Sequence, residues 1–148
     1  NKREMVIPPS VVEEEITTMP IKLYYYNPAL DQGEGGVQCT SAGLVVVNRI
    51  IPITTMPLSA AIELLLKGEI SGAERAEGIE SEYPLPGVSL TSAEVVDGVA
   101  TLTFADPQNR LGGGSCRVAV LWAQIEATAK QFATVREVKF LPEELFQP

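Results

Sequence analysis

Cys39 and Cys116 are the only cysteines in a chain of 148 residues that contains no histidine. The missing imidazole removes Ser-His-Asp and Cys-His catalysis. It also removes the commonest zinc ligand, and two thiols alone do not make a structural zinc site. Cys116 stands in GGGSCR (112–117), directly ahead of an apolar-periodic run. Three chemistries suit such a segment: a phosphate cradle, a reactive thiol at a helix start, or half of a disulfide. A phosphate loop needs G-x-x-x-x-G-K-[ST], and a dinucleotide fingerprint needs G-x-G-x-x-G after a strand. GGGSCR has neither, although Arg117 near a helix N-terminus could help to hold an anion. A helix start lowers a thiol pKa, but no histidine base and no C-x-x-C partner accompany this one. The residues leave one long-range bridge or two free thiols. Both cysteines fall at the start of an expected element, which favours the bridge. It would close a loop of about 77 residues, worth roughly 4–5 kcal/mol of chain entropy, and it would imply an oxidising compartment.

The remaining candidates are weaker. Glu13–Glu15, Glu80/Glu82 and Glu143/Glu144 fall on expected arms or loops, where solvated carboxylates are the plain reading. Nothing places any of them across a cleft as a glycosidase pair requires. Asp31, Glu34 and Asp106 are loop acids without the spacing of a calcium loop. No catalytic residue, metal ligand or cofactor is assigned. Tyr24, Tyr25 and Tyr26 are adjacent, so in a strand they cannot all face one core. Ordinary amphipathic packing competes here with a displayed contact surface. Tyr24, Tyr26 and Arg49 are the candidate interaction residues.

The elements that must position these groups follow from periodicity. IKLYYY (21–26) alternates as a strand, with Leu23 and Tyr25 on one face. Residues 27–43 read as a loop, and 43–53 as a second strand whose LVVV run suggests a central position. Pro57 opens a helix, PLSAAIELLLKG, with Gly68 as its stop. One short helical turn is expected around 72–77. Residues 88–106 form two strands around Asp97-Gly98, a tight-turn pair. Ser115 is the expected N-cap of a helix whose apolar stripe is Val118, Leu121, Trp122, Ile125, Ala129 and Phe132. TVREVKFL (134–141) is a last strand. The order is β-β-α-β-β-α-β. The expectation is an α+β domain, a mixed sheet of about four to five strands with two helices packed on one face. Residues 1–19 read as a linker or arm and 20–148 as a single domain.

Composition bounds the partners. The net charge is −8, which disfavours nucleic acid and anionic membrane surfaces. No apolar run approaches a membrane span. The first residue is Asn1, from which we expect an excised fragment, with any signal or anchor upstream.

Together, IKLYYYNP, VNRIIP, LLLKG, DGVATLTF and AQIEATAKQF…VREVKF resemble the GerMN domain family over residues 20–141. Two departures stand out: Gly68-Glu69-Ile70 replaces the family's usual G-P-[ST], and the Cys39/Cys116 pair with GGGSCR resembles only a subset. The resemblance implies a non-enzymatic, extracytoplasmic domain of the sporulation or germination type, anchored to the cell envelope, often as a lipoprotein. Its implied partners are other envelope proteins, with membrane contact only through an upstream anchor. A small-ligand or glycan-binding envelope domain, using Tyr24, Tyr26 or Trp122, is the alternative. A histidine-free hydrolase comes third.

Overall fold

The computed structural model describes residues 17–148. The expected arm therefore lies outside the described residues up to position 16. The first strand, β1, spans Thr18–Tyr26 and so takes in the last two residues assigned to that arm. β1 pairs antiparallel with β4, Leu44–Pro52, with Tyr24 opposite Val46 and Ile21 opposite Arg49. The segment between them is more ordered than its loop composition suggests. It holds two 3-10 turns, Pro28–Leu30 and Ser41–Gly43, and a two-residue ribbon of β2, Gln32–Gly33, and β3, Gly36–Val37.

Helix α1, Pro57–Lys67, begins on its proline and ends on Gly68, whose φ of 65° lies in the left-handed region. A Cβ at Gly68 would land on the backbone of Tyr83, so both conformation and space require glycine there. A short helix α2, Gly72–Ala76, is fixed by a Ser71–Glu74 capping box. Strands β5, Ser89–Val96, and β6, Val99–Ala105, form the hairpin. Asp97 (φ 51°) and Gly98 (φ 82°) supply the two positive φ values of its turn. Helix α3, Ser115–Lys130, crosses over to β7, Glu137–Leu141, which pairs parallel to β6.

The single mixed sheet expected from the sequence is not what forms. The strands divide into β1–β4, the small β2–β3 ribbon, and β5–β6–β7. The physical reason lies at the outward edge of β1, where helix side chains take the place of a third strand. Gln131 accepts from the Lys22 N–H (2.9 Å) and donates to the Lys22 carbonyl (2.7 Å). Thr128 Oγ1 accepts from the Tyr24 N–H (3.1 Å). An edge strand must have its backbone groups satisfied or covered, and α3 does this from the side. Helix α1 packs on β1, β5 and α3, while α3 packs on β1 and β7. The two helices thus join the two larger sheets around one core of Leu23, Tyr25, Ile62, Leu65, Leu102 and Ile125.

Three smaller expectations change. β4 is not central among the described residues: it has β1 on one side, and Val46 is 44% exposed. Its apolar run reflects one buried face and one displayed face. Ser115 is the first helical residue rather than the N-cap; Gly114 holds that place and makes no side-chain cap. Trp122, expected in the core, is 39% exposed and packs its ring on Phe140 and Phe146.

Candidate functional site

A half-open cleft of about 550 Å³ lies at the start of α3. One wall is the GGGSCR segment, through Gly113, Gly114 and Cys116. The other is the extended stretch Glu80–Glu82, with Val37 and Cys39 closing one side. The inner lining comes from Val120, Leu121 and Gln124 of α3 and from Tyr26. Cys39 and Cys116 are joined, with Cα atoms 5.3 Å apart, so the bridge ties the loop after β3 to the first turn of α3. A bonded sulfur is no nucleophile, and the reactive-thiol reading ends there.

Charge around the cleft is largely committed. Arg117 pairs with Glu82 (2.6 Å) and gives its other guanidinium N–H groups to the carbonyls of Gly112 (2.8 Å) and Arg110 (2.6 Å). Arg117 therefore fastens the glycine-rich loop to the helix start, and its head group is not free for an anion. With Gly114 at the cap, no side chain accepts from the first turn of α3, which leaves donors aimed outward.

Gln124 is 1% exposed, and its Nε2 has no hydrogen-bond partner. The pattern along β1 explains how it came to be left over. Outward N–H groups occur at every second residue of β1, and α3 meets them in turn: Gln131 at Lys22, then Thr128 at Tyr24. Continued by one more helical turn, the series would set Gln124 at Tyr26. There the position is already filled, because Tyr26 exchanges two backbone bonds with Glu80 (3.2 and 2.7 Å).

The sequence-derived contact residues separate. Tyr26 is buried, and its hydroxyl donates to Asp31 (2.6 Å). Burial first, then Asp31, push its pKa up to about 12. Asp31 also accepts from the Thr40 N–H and hydroxyl (2.7 and 2.6 Å), which with Tyr26 hold its carboxyl below its ordinary pKa. This loop acid is a structural knot rather than a cation ligand. Arg49 forms a two-pronged pair with Glu74 (2.7 and 2.8 Å) and donates to the carbonyls of Glu69 and Asn48. Arg49 in turn lowers the Glu74 pKa to about 2. Tyr24 is half-exposed, on the outer face with Val46. Of the acid pairs, Glu80 and Glu82 line the cleft, Glu143 and Glu144 are exposed near the C-terminus, and Glu13–Glu15 lie outside the described residues. Asp106 caps its own loop through the N–H groups of Arg110 and Leu111.

Sequence reasoning missed Gln124, Thr128 and Gln131. Their signal is a polar stripe at spacings of four and three, beside the apolar stripe of the same helix.

A family model described as Germane, sporulation and spore germination, matches residues 22–144. The chain belongs to the Germane family. The expected GerMN resemblance is thereby shown, and solved structures agree on the fold. The tandem GerMN domains of the sporulation protein GerM from Bacillus subtilis match with a TM-score of 0.56 at 20% identity over 99% of this chain. This chain spans 45% of that one. The first GerMN domain of the same protein matches with a TM-score of 0.55 at 16% identity, covering 86% of each chain. No curated protein matches the chain. This Germane domain is thus of the sporulation and germination type, and its fold is the α+β arrangement described above.

Proposed function

We propose that this Germane domain is a non-enzymatic, extracytoplasmic interaction module, assembling with other proteins of a bacterial cell envelope. The observation that carries the reading is the asymmetry of the β1–β4 ribbon. The edge of β1 is closed by Gln131, Thr128 and the bridge to Glu80. Among the described residues β4 has no strand on its far side, and the outer face beside it displays Val46 (44% exposed) and Ile50 (68%) around half-exposed Tyr24. Apolar and aromatic groups on a rigid sheet face suit a protein partner. The Cys39–Cys116 bridge supports an oxidising compartment and hence a location outside the cytosol. Arg49 enters indirectly, because its pair with Glu74 pins α2 beside β4.

Photo-cross-linking from positions 46 and 50 in the native host tests this. Discrete protein adducts are expected from both positions, and they should vanish in a Tyr24→Asp background that leaves the fold intact. Absence of adducts under conditions that capture a control envelope lipoprotein would sink the proposal. The alternative, a small-ligand or glycan-binding envelope domain, is favoured by the cleft beside the disulfide. Tyr24, Trp122 and Tyr26 do not converge on it: Tyr24 is on the outer sheet face, Trp122 packs against Phe140, and of the three only Tyr26 lines the cleft.

A further inference from the structure

We infer that the cleft at the start of α3 binds a small uncharged molecule through a secondary amide, the N-acyl group of an acetamido sugar or of a short peptide. The inference uses residues other than the β4 surface and stands whether or not that surface has a partner. Its first support is Gln124. A carboxamide 1% exposed with an unpartnered donor is uncommon in a folded protein. It lines a cleft wide enough for a small ligand. Its second support is the uncapped first turn of α3, which presents further backbone donors at the same cleft.

Charge selects among acceptors. A helix N-terminus carries about half a positive charge. Against it stands the Glu80 carboxylate on the cleft wall, which has no ion pair among the described residues, in a chain of net charge −8. Arg117 adds no free charge, being paired with Glu82. The balance disfavours a carboxylate or phosphate and leaves a neutral oxygen as the acceptor. A secondary amide also carries a donor, so it can complement both ends of the Gln124 carboxamide, which an ester or ketone cannot. Val120 and Leu121 flank Gln124 and supply an apolar seat for the acyl methyl.

The test is a titration of ¹⁵N-labelled protein, disulfide intact, with four probes: N-acetylglucosamine, N-acetylalanine methylamide, glucose and acetate. Saturable shifts are expected at the Gln124 side-chain amide and at the Ser115–Arg117 amides with an N-acyl probe only. The tighter of the two N-acyl probes identifies the sugar or the peptide as the source. Gln124→Leu should weaken binding at least tenfold. Val120→Phe, which fills the cleft from its half-buried wall, should do the same should the first variant fold poorly. The inference is overturned if neither N-acyl probe moves these resonances at millimolar concentration, or if glucose or acetate moves them equally.

Discussion

Gln124 within α3 and Gln131 at its C-cap stand about two turns apart and carry the same carboxamide, yet their surroundings are opposite. Gln131 is fully engaged: it bonds both backbone groups of Lys22 and the Thr128 carbonyl. Gln124 is more deeply buried, and its amide nitrogen is bonded to nothing. The difference arises in the partner strand. β1 offers its bare edge to the end of α3, but at Tyr26 that edge is taken by the backbone of Glu80. A side-chain amide strengthens a fold where a backbone edge is within reach. Where the edge is already occupied, the same group is held ready for something else.

Replacing both Cys39 and Cys116 by Ser should have the largest effect, roughly 4 kcal/mol from loop closure. Denaturant unfolding measures it, and hydrogen exchange should show the added opening at the start of α3 rather than around Thr128. A stabilising contribution near zero would mean that the cleft end is held by other contacts.

Next come the two arginine–glutamate pairs. Glu74, one-fifth exposed, has its pKa lowered to about 2 by Arg49. A depressed folded-state pKa contributes stability above the unfolded value near 4.5, and that stability is lost as pH falls toward 2. About 2 kcal/mol should disappear over this window after allowance for partial exposure. Glu74→Gln should flatten that acid limb. Glu82→Gln, at the more exposed Arg117 pair, should leave it standing. Equal effects of the two variants would erase the distinction between sheet side and cleft side.

Thr128→Val keeps the volume but strips the Tyr24 N–H of its acceptor. Leaving this part-buried donor unsatisfied costs about 1–2 kcal/mol, readable as a shift in the denaturant midpoint. Gln131→Ala should cost about 1 kcal/mol, because the groups of Lys22 that it exposes lie where water reaches them. Gln124→Leu should change stability least, within about 0.5 kcal/mol or toward a gain, since it removes a polar group that bonds nothing. A loss as large as that of Thr128→Val would show that Gln124 is already satisfied within the protein, and the contrast would fail.

Much of the frame was legible in the sequence because it rests on local rules. Alternation in 21–26 buries Leu23 and Tyr25 as expected. Asp97-Gly98 turns the hairpin, Pro57 and Gly68 bound α1, and the apolar stripe of α3 faces inward at Val118, Leu121, Ile125 and Ala129. The GerMN resemblance rested on the same segments in series. The site was less legible. By alternation Tyr26 reads as a displayed residue, but the loop from 27 to 43 folds over it, and Asp31 takes its hydroxyl. Arg49 looked available until α2 brought Glu74 to it. Periodicity reports which face of an element is apolar and is blind to which distant segment arrives at the other face.

What the sequence determined by itself is the larger strands and helices but not the β2–β3 ribbon between the first two of them, together with the acidic charge and the absence of any histidine-dependent chemistry. These depend on neighbours within a few residues or on composition alone. The tertiary structure decided that one expected sheet becomes separate sheets, that Cys39 meets Cys116, and that Gln131 finds a strand edge while Gln124 does not. Each of these depends on where two segments far apart in the chain come to lie, and hydrogen-bond partners a hundred residues away leave no period in the sequence.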